Sequence, residues 1–512
     1  MPQSLAADID ADLVAASVAA TWEAALPVIE DYIRIPAKSL AFDPDWATTG
    51  HIAAAVELIR SWCAENAPAD AVVRVHELPG LTPVITIEVP AFGPQADDTP
   101  SDDTPSDDTP SDATPSDDTP ADATPSDDTP ADDTVLLYGH LDKQPEMTGW
   151  RDGLGPWTPV REGDRLYGRG GADDGYSAFA VVAALQALRA GGGSHRRCVA
   201  LIEASEESGS PHLPAHLDAL TELMGDISLV ICLDSGASDY DALWLTTSLR
   251  GLISAELRVD VLDRGMHSGM VSGPVPSSMR ILRQLLDRIE DPATGRILLD
   301  SFHVDVPPNR VAEAEHAAAT GVDPLDDVAF AADTQPTTGD VVAQLLATTW
   351  QPTLSYVGID GVPAIADAGN VLRPFTTLGL SFRLPPTVDP DTASRELVDV
   401  LSADPPQGAK VTVKIAESAR GWNAPETEPW LADVLDSSST THFGRPIGSW
   451  GIGGSIPFMA MLGDRYPAAQ FVITGVLGPE SNAHGPNEYL HLPTGERVSS
   501  CMAHVLHAHA NR

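Results

Sequence analysis

The sequence predicts an α/β protein with a mixed, largely parallel sheet, and three observations carry that prediction. Strand and helix signals alternate over most of the chain, the strands are hydrophobic and spaced by helices, and polar side chains gather where strands end. With 512 residues, 43% of them hydrophobic and 20% charged, the chain can build two or three domains with cores of their own.

The elements follow in order. Residues 5–35 place apolar side chains at helical spacing in an Ala-rich stretch, as do residues 51–68, and "AVVRVHELPG" then alternates like a strand. Residues 97–133 repeat a pentapeptide of the form "SDDTP" or "ADATP". It has no aromatic or large aliphatic residue and a proline at every fifth position, so it cannot bury enough surface to offset its ordering entropy. It is expected to be a disordered acidic insertion between the strands "PVITIEVPAF" and "TVLLYGHLD". Beyond it come the helix "GYSAFAVVAALQALRAGG", the strand "RCVALIEAS", a helix near "LPAHLDALTELMG" and the strand "ISLVICLDSG".

Charge and cysteine usage narrow the function classes. Acidic residues outnumber basic ones 74 to 30 for a net charge of −44, and the 14 aspartates of 97–133 leave the rest at about −30. Such a surface repels nucleic-acid phosphate and anionic membranes, so neither is expected as a partner. No basic segment with an apolar core opens the chain, and no uninterrupted apolar run reaches the roughly 18 residues of a membrane span. Cys63, Cys198, Cys232 and Cys501 are scattered without zinc-thiolate or redox spacing, and a cytoplasmic location is expected.

The chemistry collects at strand ends. His140 and Asp142 in "YGHLDKQP" are two apart, so strand alternation lets both converge on one point, although H-x-D alone is a common surface pair. Asp173 and Asp174 sit in a glycine-rich turn before a helix, where an isolated Asp could equally be a cap. Glu206 and Glu207 follow a buried strand, Asp234 ends the next, and His484 lies in the polar loop "SNAHGPNEYL". Neighbouring carboxylates in such places call for a cation or a raised pKa. His140, Asp173, Glu207, Asp234 and His484 form a sulfur-free set of five donors. It suits two Zn²⁺ ions sharing a carboxylate, with Co²⁺ or Mn²⁺ as second choices.

In this order and spacing, "GHLDKQP", "LYGRGGADDG", "EASEESGS", "ICLDSG", "MHSG", "GGSIPF" and "NAHGPNE" resemble the M20 family of dinuclear zinc metallopeptidases, particularly its dipeptidase branch. The resemblance implies a zinc-peptidase-like catalytic domain (1–246 and 419–512) with an inserted smaller α/β lid and dimerisation domain (247–418), working as a homodimer on a small peptide. It implies that His140 and Asp234 hold one ion, Glu207 and His484 the other, and Asp173 both. Glu206 would be the general base, and Asp142 would orient His140 through its other ring nitrogen. His267 in "MHSG" would stabilise the oxyanion in the partner subunit's site. Arg383, Asn370 and Ser455 would grip the carboxylate end and backbone of the substrate, Arg being apt for bidentate capture. One departure stands out: the family usually shows Lys-Gly after the paired aspartates, where this chain has Gly175 and Tyr176.

Other residues receive plainer expectations. His212 and His216 enter a helix beside prolines, while His504, His507 and His509 belong to a terminal helix. Trp150 and Trp157 are expected to pack, and Glu203, inside the strand before the glutamate pair, could support the ligands from behind but is not counted among the site residues. The activity implied is hydrolysis of dipeptides or short peptides with a free C-terminal carboxylate. The same site could deacylate N-acyl amino acids, and a catalytically silent binding protein would have to lack a ligand or the base, which this chain keeps.

Overall fold

The computed structural model describes residues 9–93, 133–326 and 328–512, so of the insertion expected at 97–133 all but Asp133 lies outside the described residues. The chain opens with helix α1 (Ala11–Arg34), capped by the Asp10 carboxylate, which accepts the Asp12 and Leu13 N–H groups. By length and composition α1 could span a membrane. Its Val14, Trp22, Ile29 and Ile33 are buried in the largest core cluster.

Strands of the first sheet follow: β1 (Val72–His76), β2 (Val84–Val89), β3 (Asp133–His140), β4 (Arg197–Glu203) and β5 (Asp226–Cys232). Between β3 and β4 the helix α2 (Ser177–Ala190) is apolar almost all round, because it is sandwiched between this sheet and outer helices including α1. The chain then crosses into a second sheet of β6 (Gly251–Asp260), β7 (Thr353–Asp360), β8 (Phe375–Leu384) and β9 (Lys410–Ala419), antiparallel in the order β7-β8-β6-β9. Strands β6 and β8 bury alternate residues, and that face packs on the helices Ser278–Leu286 and Pro390–Ser402. The chain returns with β10 (Gln470–Ile473), which completes the first sheet in the order β1-β2-β4-β3-β5-β10. The pairs β4/β3, β3/β5 and β5/β10 are parallel, while β1/β2 and β2/β4 are antiparallel. The first sheet is therefore mixed and largely parallel, as the hydrophobic strands predict.

Not all of 247–418 packs around the second sheet. The helices Pro308–Ala319 and Val341–Thr349 place Ala314, Ala317 and Leu345 in a cluster with Ala237 and Trp244, against Trp450. Small side chains on these helices let two indoles settle on them, a fit that sequence spacing does not reveal.

Two histidines make the fold acid-sensitive. His195 stacks on Phe92, donates Nδ1–H to the Arg196 carbonyl (2.8 Å) and accepts from Arg189 at Nε2 (3.1 Å), so its neutral form is the one bonded. Burial pushes its pKa down to about 4, and burial likewise lowers that of His509 to about 3. Below the ordinary value near 6.5 the unfolded chain takes up protons that the folded one refuses. Stability is therefore lost as pH falls from there toward 4, by up to about 1.4 kcal/mol per unit for each such group. Thermal melting at successive pH values should show this acid limb, and His195→Gln should make it shallower; an unchanged limb would acquit His195.

Candidate metal centre

Parallel pairing puts the carboxyl ends of β3, β4, β5 and β10 on one edge of the sheet. His140 is the last residue of β3, opposite Glu203 on β4. Glu206 and Glu207 form the turn just after β4, Asp234 lies two residues past β5, and His484 lies in the loop after β10. Asp173 comes from the irregular turn Gly171–Gly175 ahead of α2.

These five expected ligands meet as two triads. His140, Asp173 and Asp234 offer donor atoms all within 4.8 Å of one another, as do Asp173, Glu207 and His484. His140 Nε2 lies 3.5 Å from Asp173 Oδ1 and 3.8 Å from Asp234 Oδ2. On the other side His484 Nε2 lies 3.0 Å from Asp173 Oδ2 and 3.3 Å from Glu207 Oε2. Asp173 thus turns one oxygen to each histidine. Its neighbour Asp174 points away, its Oδ2 accepting the His140 main-chain N–H at 3.1 Å.

The donor set fits cations. The buried atoms His140 Nε2 and Glu207 Oε1 have no hydrogen-bond partner, and no Lys or Arg pairs with Asp173, Glu206, Glu207 or Asp234 among the described residues. Burial pushes Asp234 up to about 7, His140 opposing and Asp173 and Glu207 adding to it. Burial and then Asp234 hold the Glu206 carboxyl well above its ordinary range. His484 would be lowered by burial, but its bonds to Asp173 and Glu207 carry it to about 11. Acids this reluctant to ionise together are stabilised by divalent cations. Glu206 belongs to neither triad; its Oε2 stands 3.9 Å from His140 Nε2, beside the donors.

Asp142 stands beside the other ring nitrogen of His140 and has a second task. His140 Nδ1 is 3.1 Å from the carbonyl oxygen of Asp142 and 3.5 Å from its Oδ1, so the main chain is the nearer partner of the ring. The two carboxylate oxygens also accept the N–H groups of Glu206 and Glu207, each at 3.1 Å, and fix the glutamate turn. Glu203 grips that turn from the strand side, accepting from Ser205 (2.9 Å) and Ser210 (2.8 Å) as well as from Tyr138 (2.6 Å).

A second brace escaped the sequence. Arg169, four residues before Asp173, and Glu488, four after His484, form a buried ion pair at 2.6 Å. Glu488 also accepts the Gly170 N–H at 2.9 Å, so one pair ties both ligand loops. The signal was present in the motifs as opposite charges flanking two ligands. The departure at Gly175 has a steric cause, since a Cβ there would lie 2.0 Å from Tyr32 Cε1, and Tyr176 instead donates to the Leu233 carbonyl at 2.6 Å.

The remaining expected residues fall in two places. Arg383 Nη1 donates to Ser455 Oγ at 2.9 Å, joining β8 to the loop after the strand Gly448–Ile452. His267 and Asn370 neighbour each other on an exposed two-stranded ribbon, where the Ser268 N–H donates to the Asn370 carbonyl (2.8 Å). No hydrogen bond or ion pair among the described residues links either to the metal centre. His212 and His216 are fastened to the main chain of Thr82, accepting its N–H at 3.0 Å and facing its carbonyl at 2.8 Å.

Residues 136–508 match the model of peptidase family M20/M25/M40. Cysteinylglycine-S-conjugate dipeptidase of Corynebacterium striatum is 28% identical over 394 residues, covering 73% of this chain and 80% of that protein. Among solved structures, the di-peptidase Dug1p of Saccharomyces cerevisiae superposes with a TM-score of 0.70 at 20% identity, over 98% of this chain and 99% of that one. Human carnosine dipeptidase 1 gives 0.68 at 19% identity over the same shares.

Proposed function

As the chain belongs to peptidase family M20/M25/M40, we propose that it hydrolyses unblocked dipeptides with a pair of Zn²⁺ ions, one in each triad. One observation carries the two-ion assignment: the triads share Asp173, which offers a separate oxygen to each. Imidazole and carboxylate donors suit Zn²⁺, with Co²⁺ or Mn²⁺ as substitutes. When bound, such ions polarise the scissile carbonyl and acidify the attacking water.

The chain's own residues do the rest. Glu206, raised in pKa and held on a turn fixed by Asp142, takes the proton of the attacking water and passes it to the leaving amine. Arg383, with Ser455, takes the substrate's C-terminal carboxylate; no acid of the protein pairs with it among the described residues, contrary to a plain surface salt bridge.

We further assign the active form to a homodimer. Strand β7 is the edge of its sheet and exposes Ser355–Asp360, with Val357 68% exposed, and elsewhere in 247–418 Met270 is 78% and Ile365 95% exposed. An uncovered apolar edge of this sort is suited to pairing with a second copy. His267, exposed and with no bond to its own metal centre among the described residues, is then placed to reach the partner subunit's site. Four free, buried thiols suit the reducing cytoplasm.

Amine release from unblocked dipeptides, set beside N-acetyl and N-succinyl amino acids, tests the activity. Chelated protein should lose activity and Zn²⁺ should restore it on the dipeptides. Restoration on the acylated compounds alone would make the chain a deacylase, and undiminished cleavage after complete metal removal would overturn the assignment.

A further inference from the structure

Arg250 occupies the passage between the two parts of the protein, one residue after the strand Trp244–Leu249 and one before β6. Its main chain is clasped on both sides: its N–H donates to the Gly454 carbonyl (3.0 Å) and its carbonyl accepts from Ser455 Oγ (2.6 Å). Its guanidinium donates from Nε to the Gly453 carbonyl (3.0 Å) and from Nη1 to Thr353 Oγ1 (3.3 Å) on β7. Glycine at 453 is what admits it, since a Cβ there would sit 3.0 Å from Arg250 Nη2 and 2.7 Å from the Thr348 carbonyl.

Ser455 is shared. Its hydroxyl donates to the Arg250 main-chain carbonyl and accepts from Arg383 Nη1, and Thr353, which accepts from Arg250 Nη1, is the cross-strand partner of Arg383, so the two guanidiniums are neighbours at one end of β7 and β8. In a chain where 74 acids face 30 bases, neither arginine has an acid partner among the described residues. Burial, and then the charge of Arg383, lower the pKa of Arg250 to about 10. Two unbalanced cations held this way repel each other until an anion arrives. Nη2 of Arg250, together with Nε and Nη2 of Arg383, makes no hydrogen bond to the described residues.

We propose that Arg250 is the second arm of the carboxylate pocket and determines the preference for a free C-terminus. This rests on carboxylate capture by Arg383. A carboxylate placed between the two guanidiniums neutralises both and has free N–H groups to accept from, whereas a peptide amide brings no charge. The motif "GGSIPF" is then accounted for at two positions, Gly453 giving room to the Arg250 side chain and Ser455 tying the Arg250 main chain to the Arg383 guanidinium.

The test compares dipeptides with their C-terminal amides on Zn²⁺-loaded, full-length enzyme. Arg250→Met should raise KM for the free acids by about 10–100-fold with kcat within about threefold, the size expected for a lost charged hydrogen bond. It should leave amide cleavage nearly unchanged, collapsing the acid-to-amide ratio. A purely structural hinge residue would depress acids and amides together through kcat, and that result, or an unchanged KM, overturns the proposal. Should Arg250→Met not fold, Arg250→Lys, which keeps charge and stem but not the fork, should give an intermediate ratio; a wild-type ratio there overturns it equally. Wild-type enzyme that cleaves dipeptides but does not favour acids over amides would remove capture by Arg383, and this proposal with it, while leaving the peptidase activity standing.

Discussion

Glu206→Gln should lower turnover of unblocked dipeptides by about 10²–10⁴-fold with metal content unchanged, the range for losing a general base. The side chain stands beside the donor atoms, 3.9 Å from His140 Nε2, yet belongs to neither triad. Gln keeps its volume, and the N–H groups of residues 206 and 207 stay bonded to Asp142, so the turn should hold its shape. Only the ability to accept a proton is removed. Metal analysis of the purified variant beside steady-state kinetics reads both halves of the expectation. Turnover near wild type would take Glu206 out of the mechanism, and loss of metal would make it a ligand.

His267→Ala should cost about 10²–10³-fold, as for removing one oxyanion donor. Mixed with the Glu206→Gln protein it should regain part of its activity. A hybrid dimer has one site with Glu206 intact, supplied with His267 by the partner. The exposed ribbon on which His267 sits, with no bond to its own metal centre among the described residues, motivates the experiment. If subunit exchange is demonstrated and no activity returns, His267 does not act across the interface.

The ligands were legible because the rules that place them are local. The end of a hydrophobic strand puts His140 and, two residues on, Asp142 at one spot, and strand-to-turn boundaries put Glu206, Glu207 and Asp234 at strand ends, all within stretches of about ten residues. What holds the ligands was less legible. A supporting role for Glu203 could be weighed but not fixed until β3 and β4 paired in parallel and set it opposite His140, under the glutamate turn. Asp142 was expected at the His140 ring, but not that its carboxylate also serves the backbone of a turn 64 residues away. Arg250 carried no motif at all, and its role emerges only where β6, β7 and the 453–455 loop come together.

By itself, then, the amino-acid order determined the class of fold, the donor types and the approximate positions of the metal ligands, because each depends on periodicity and chemistry within a short segment. Tertiary structure decided which oxygen faces which imidazole, that Asp173 rather than Asp174 serves both triads, and that Arg169 and Glu488, 319 residues apart, brace the centre together. It also decided that two helices from 308 to 349 lie on Trp244 and Trp450 instead of the second sheet. The physical reason is one of range: backbone periodicity acts over a few residues, whereas burial, pairing register and charge balance depend on which distant segments share a volume once the chain is packed.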